Sequence, residues 1–147
     1  MASTIDKEIR EAFITILSTL SWAKKVEGYK IRLGFSEMRE HEVPYVQIYG
    51  VGQTYEPQRG DLLTRWQIAV DLVLRQGTDG TIDQRDLDSK RQELIEKIGE
   101  NPKLGITYSI IHTLPLSATD DLYTFEPFLV TTIVFEVLFR KPFTGDC

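Results

Sequence analysis

Residues Leu62-Leu63-Thr64-Arg65-Trp66-Gln67-Ile68-Ala69-Val70-Asp71-Leu72-Val73-Leu74-Arg75 carry the pattern that decides the fold. Trp66, Ile68, Val70, Leu72 and Leu74 fall on one side of an extended chain. Arg65, Gln67, Ala69, Asp71 and Val73 fall on the other. A period of two held over this length predicts a long strand across Leu62–Arg75.

Upstream, Gly50 to Asp61 contains Gly50, Gly52, Pro57 and Gly60 and reads as a long loop. Before it, Val46 and Ile48 alternate with Tyr45, Gln47 and Tyr49, which predicts a strand over Val43–Tyr49 with Pro44 near its start. Tyr29, Ile31, Leu33 and Phe35 predict another, separated from it by a charged turn, Glu37 to Glu42. At the front of the chain the period is 3.6. Ile5, Ile9, Ala12, Phe13, Ile16, Leu17 and Leu20 form one helical face, with Asp6, Lys7, Glu8, Arg10 and Glu11 opposite. This helix is expected to end near Lys24-Lys25, with Gly28 just beyond.

Downstream, Gly77, Asp79 and Gly80 mark a turn. A second helix is predicted at Arg85 to Ile98, capped by Asp83 or Asp86, with Leu87, Leu94, Ile95 and Ile98 as its stripe and Gly99 as a C′ glycine. Strands are predicted at Leu104–Leu114 and Leu129–Arg140, joined by a second long loop, Pro115 to Pro127. Phe143 to Cys147 is a short tail. The order α-β-β-β-α-β-β predicts an α+β fold, a mostly antiparallel sheet with two helices packed on one face. No internal repeat or linker divides the 147 residues, so one domain is expected over 1–147. Tyr45, Tyr49, Val73, Val134 and Leu138 give both sheet faces apolar character. The face without helices is therefore expected to need a partner subunit to cover it.

Composition excludes several classes. The net charge is −5, which argues against sequence-independent nucleic-acid binding through neutralised phosphates. The one cysteine, Cys147, can form neither an internal disulfide nor a thiolate metal site. No stretch reads as a signal peptide or reaches the ~18 apolar residues of a membrane span, so a cytoplasmic origin is expected.

The chemistry-bearing residues form no recognisable constellation. His41 sits in a charged turn beside Glu37, Arg39, Glu40 and Glu42, without a spacing that aims them at one ion. His112 lies in a predicted strand. Asp79, Thr81, Asp83 and Asp86 lack the twelve-residue calcium-loop pattern, and a helix cap accounts for the last two. Gly50-Val51-Gly52 is too short for a dinucleotide loop, and no serine has the glycine setting of a nucleophile elbow. No catalytic residue, cofactor or metal is expected.

Three segments in order carry a family resemblance: Val43-Pro44-Tyr45-Val46-Gln47-Ile48-Tyr49 with the glycine-bearing loop after it, Trp66-Gln67-Ile68-Ala69-Val70-Asp71-Leu72, and the helix Asp86-Leu87-Asp88 continuing through Leu94-Ile95. Together with the amphipathic first helix and two closing strands, the chain resembles the lambda-type tail terminator family of tailed bacteriophages, also called tail-completion or tail-to-head joining proteins. The resemblance implies a non-enzymatic structural protein. It would form a ring, usually of six identical subunits, that caps the major tail tube protein's finished tube and offers a docking face to the head-tail connector. Genomic DNA would pass through the lumen without specific binding, for which an acidic subunit is suited. The protein would leave the host cytoplasm for the virion, near the head-tail junction, with no membrane involved. The two long loops depart from the pattern. Within this reading Tyr49, Tyr55, Arg59 and Asp61 are the expected contacts to a neighbouring subunit or the tube, the last three because a long loop carries them. Other readings are a neck or head-closure subunit, a small-molecule-binding regulatory α+β domain with a pocket between sheet and helices, and a small hydrolase using Asp71, Asp83 or His112.

Overall fold

The long strand is present and runs from Asp61 to Arg75, at the centre of a five-stranded sheet. The computed structural model describes residues 5–32, 42–77, 83–106, 110–122 and 124–142. In chain order the elements are α1 (Ile5–Leu17), β1 (Lys25–Glu27), β2 (Tyr45–Gln58), β3 (Asp61–Arg75), α2 (Gln84–Gly99), β4 (Ile110–Asp121) and β5 (Phe128–Pro142). The strands lie in the order β1-β2-β3-β5-β4. Every neighbouring pair is antiparallel except β1 with β2, so the fold is α+β with a mostly antiparallel sheet.

One face of the sheet carries the main core. Trp66, Ile68, Val70, Leu72 and Leu74 of β3 join Val46 and Ile48 of β2 and Ile133, Phe135, Val137 and Phe139 of β5. Onto this layer α1 sets Ile5, Ile9, Phe13 and Leu17, one residue per turn, with Phe13 edge-on to Phe135 at 5.7 Å. Burying such side chains contributes roughly 1.5–3 kcal/mol each. That is enough to hold a 13-residue helix that would be marginal alone. The second helix adds Leu87, Leu94 and Ile98. It is fastened at one end by Asp83, whose side chain accepts from the Arg85 and Asp86 amides. Along its length Arg91 holds Asp120 of β4 with bonds of 2.9 and 2.8 Å.

Several boundaries differ from expectation, each for a local reason. The first helix stops at Leu17, well before Lys24-Lys25. Ser18 and Thr19 turn their hydroxyls back onto the carbonyls of Ile14 and Ile16, and the chain tightens into i→i+3 turns. Leu20 keeps its place in the apolar stripe through that turn. Lys25 instead enters the sheet, with Lys25–Glu27 pairing in parallel with Tyr45–Gln47. The strand expected over Tyr29–Phe35 is not formed at residues 29–32. Its remainder lies outside the described residues, as do positions 37–41 of the charged turn, His41 included. So do Asp79, Thr81 and the tail at 143–147. Gly99 is the last helical residue, and Glu100 forms the C-cap in a right-handed conformation. Left-handed backbone falls later, at Leu104 and Gly105.

The largest departures are the two long loops, most of whose described residues are strand. β2 continues through Gly50–Gln58 and turns at Arg59-Gly60 straight into β3, with Gln58 opposite Asp61. Gly60 adopts φ +78, the conformation the tight connection requires. Gly50 is no loop marker either. It sits under Trp66, where an added Cβ would lie 2.7 Å from the indole nitrogen. The expected strand Leu104–Leu114 and loop Pro115–Pro127 resolve into β4 at Ile110–Asp121 and a short connection at 122–127. Glycine and proline on edge strands mislead because a missing N–H or side chain there is tolerated.

The second face of the sheet is only partly bare. Tyr45, Val73, Phe128 and Val130 form a second cluster, covered by Val43 and Phe125 of the same chain. Thus Tyr45 and Val73, expected to wait for a partner subunit, are fully buried already. Leu138 is buried too, while Tyr49 and Val134 are half-buried.

Candidate assembly surface

Beyond Gly50 the sheet outgrows the helices. Residues 54–60 are exposed throughout, although they are regular strand and turn. Among the described residues the projection has three strands, because β5 follows β3 to its first residue, with Asp61 opposite Pro142. β4 joins only at Phe139, opposite Ile110. We refer to this end as the arm. Its root is braced against the first turn of α1. Gln53 donates to Asp6 at 3.1 Å and accepts from Lys141 at 2.8 Å, and the Lys141 ammonium also lies 5.0 Å from the Tyr55 ring centre.

This geometry sorts the four expected contact residues. Tyr55 stands at the root of the arm, 52% exposed. Arg59 occupies the turn at the tip and is exposed, and Asp61, half-buried, opens β3 beside it. The three share one projecting end of the sheet. Tyr49 does not join them. It lies six residues back along β2, about 20 Å away at 3.4 Å per residue, and its side chain is on the face opposite the helices.

There Tyr49 belongs to a polar cluster around Asp71. That carboxylate, 6% exposed, accepts from Gln47 Nε2 at 2.8 Å, Tyr49 Oη at 3.2 Å and Thr132 Oγ1 at 2.6 Å. Gln47 in turn binds the backbone of Arg32 twice, accepting from its N–H at 2.9 Å and donating to its carbonyl at 3.2 Å. The Arg32 guanidinium pairs with Glu42 and lies over the Tyr45 ring. Arg32 is thereby pinned against the sheet. Burial, reinforced by the adjacent Asp71 carboxylate, pushes the Tyr49 phenol up to about 12. Burial also raises the Tyr45 phenol, whose hydroxyl donates to Glu27 at 2.6 Å. A cavity of about 460 Å³ opens on this cluster, between Arg32, Tyr49, Asp71 and Phe125. It lies on the face opposite the helices; another cavity, of about 580 Å³, lies between α1 at Glu11, Ile14 and Thr15 and β1 at Val26 and Glu27, the side on which a regulatory-domain reading expects one.

No protein-family model matches the chain, and no curated protein matches it at a significant level. The functional reading therefore rests on the residues themselves.

The groups weighed for hydrolysis are not brought together. Asp71 faces away from the helices, while Asp83 caps α2. His112 lies opposite Leu138 and 3.5 Å from Glu136. Thr132, the neighbour of Asp71, is six residues from Leu138 along β5, which separates the two positions by about 20 Å. Among the described residues no three His, Cys, Asp or Glu side chains gather to hold a metal, and no helix is long and apolar enough to cross a membrane.

Two features escaped the sequence reading. The arm was hidden by Gly50, Gly52 and Pro57, although Gln53, Thr54 and Tyr55 between them suit a strand. The Asp71 cluster had a legible signal, a lone carboxylate inside the apolar run Ile68–Leu74. Its meaning depends on Gln47, Tyr49 and Thr132, which only the pairing of three strands brings alongside.

Proposed function

We propose that this protein is a structural subunit of a tailed-phage particle, a tail terminator that forms a ring on the tip of the tail tube and presents a docking face to the head connector. The observation that carries the reading is the arm. The β2 limb of this projection is exposed from Thr54 to Gly60 and hides little apolar surface of its own, yet it is regular and braced at its root by Asp6, Gln53 and Lys141. An exposed ribbon of this kind gains stability from what it packs against. Tyr55 and Arg59, residue types enriched at the centres of protein interfaces, are displayed along it. The net charge of −5 suits a ring through which DNA slides without being gripped.

The test is to add the purified protein to growing tail tubes and follow them by negative-stain electron microscopy. Capped tubes of arrested length are expected, and Arg59→Glu should leave the fold intact while losing the caps. Tubes that elongate unchanged in the presence of the native protein would remove the proposal.

The cavity over Asp71 favours a second reading, a domain that binds a small polar ligand. Its volume of about 460 Å³ falls in the range of ligand sites. A neck or head-closure role shares the arm argument and differs only in the position of the ring in the particle, which labelling of the capped tubes distinguishes.

A further inference from the structure

Among the described residues, the five exposed large apolar ones other than Tyr29 all lie on two strands. Val51 and Tyr55 are on β2; Ile111, Leu114 and Leu116 are on β4. These strands bound opposite sides of the sheet. β4 is the last strand on its side, and β1 covers the outer edge of β2 only at Tyr45–Gln47. Among the described residues, the edges beyond carry backbone N–H and C=O groups with no strand to pair with.

Natural sheet edges are commonly guarded by charge, lysine above all. These are not. Gly50–Tyr55 and Ile110–Thr119 contain no Asp, Glu, Lys or Arg, in a chain where those residues make up 27%. Each edge instead carries bulges. Val51 is the extra residue between Gly50 and Gly52, Ile111 between Ile110 and His112, and Leu116 between Pro115 and Ser117. A bulge breaks the even ladder that any strand could extend and re-aims a side chain. The three bulge residues are all among the exposed apolar ones. The edges are thus poor templates for indiscriminate pairing and well shaped for one partner.

Strand direction identifies that partner. β2 is antiparallel to β3, β3 to β5 and β5 to β4, so β4 runs opposite to β2. Copies related by rotation about an axis along the strands keep their directions. The β4 edge of one then meets the β2 edge of the next antiparallel, the pairing already used by those four strands. Because the two edges differ, the contact is heterologous and repeats until the rotation closes a ring. We propose that identical copies of this chain join in this way, Gly50–Tyr55 of one against Ile110–Thr119 of the next. The inference rests on the ring reading above and supplies its subunit contact.

Two variants test it, each with lysines on one edge at positions already exposed: Val51→Lys with Thr54→Lys, and Leu114→Lys with Leu116→Lys. Circular dichroism checks that each folds as the native chain does. By analytical ultracentrifugation the native protein at high concentration should form closed oligomers, and each variant alone should lose them. Mixed together, the variants retain one intact edge each and should form heterodimers and nothing larger. Native oligomers that survive in either variant alone would overturn the edge contact while leaving the ring reading in place. A native protein that stays monomeric at its highest soluble concentration and on tube ends would overturn both.

Discussion

Asp71→Asn is the substitution whose outcome depends most sharply on the polar cluster. A carboxylate only accepts, and the three groups around it all donate: Gln47 Nε2, Tyr49 Oη and Thr132 Oγ1. An asparagine can keep one oxygen for the two hydroxyls, but its NH2 then faces the Gln47 NH2. Turning the Gln47 amide over relieves that clash and creates another, because its NH2 would then face the Arg32 N–H that its oxygen now accepts from at 2.9 Å. With Oδ1 turned to Gln47 and the NH2 to the two hydroxyls, Tyr49 Oη and Thr132 Oγ1 would have to accept and turn their protons away, so a neutral isostere either opposes two NH2 groups or forfeits both hydroxyl donations. That costs about 1–3 kcal/mol. Asp71→Ala strands all three donors and opens a small void, for about 3–5 kcal/mol. Urea unfolding measures both. With a slope near 2 kcal/mol/M, the midpoint should fall by about 1 M for Asn and about 2 M for Ala, the slope itself unchanged. An Asn variant as stable as the native chain would refute the argued direction of the network.

Two further perturbations follow. The phenols of Tyr49 and Tyr45 both titrate above the ordinary tyrosine value, so the folded state holds their protons more tightly than the unfolded chain does. Stability should be fully present below about pH 10 and fall as pH rises through the folded values, by up to ~1.4 kcal/mol per pH unit for each phenol; chemical unfolding between pH 8 and 12 checks this, and Tyr49→Phe should flatten the decline. Gly50→Ala places a methyl group 2.7 Å from the Trp66 indole nitrogen, and Trp66 is 6% exposed with Arg10 stacked near it. The variant should lose about 1–3 kcal/mol in a thermal melt, with a shifted tryptophan emission, and a melt unchanged from native would show that the ring moves aside freely.

The fold was legible where burial imposes a period. β3 repeats every two residues because one face packs under the helices while the other takes Arg65, Gln67 and Asp71, and α2 announces itself through Asp83 and the spacing of Leu87, Leu94 and Ile98. Legibility failed at the edges. The outer reaches of β2 and β4 bury little, so no apolar period marks them, and glycine or proline there weakens the local signal without breaking the strand. β1 is three residues long and owes its conformation to Tyr45–Gln47 beside it. The same cause hid the arm. The sequence puts Tyr55, Arg59 and Asp61 in a long loop, and the structure assembles them on a paired ribbon instead. Tyr49 is near them in sequence, but along a strand that separation is distance in space.

The pairing of Asp61 with Pro142, and the bond from Gln53 to Asp6, has a practical consequence. Both ends of the described polypeptide emerge beside the arm. A bulky label attached near Asp6 or Pro142 would crowd the proposed contact surface while leaving the fold untouched. The opposite pole, where Gln76 meets Pro127, is the place to graft a reporter.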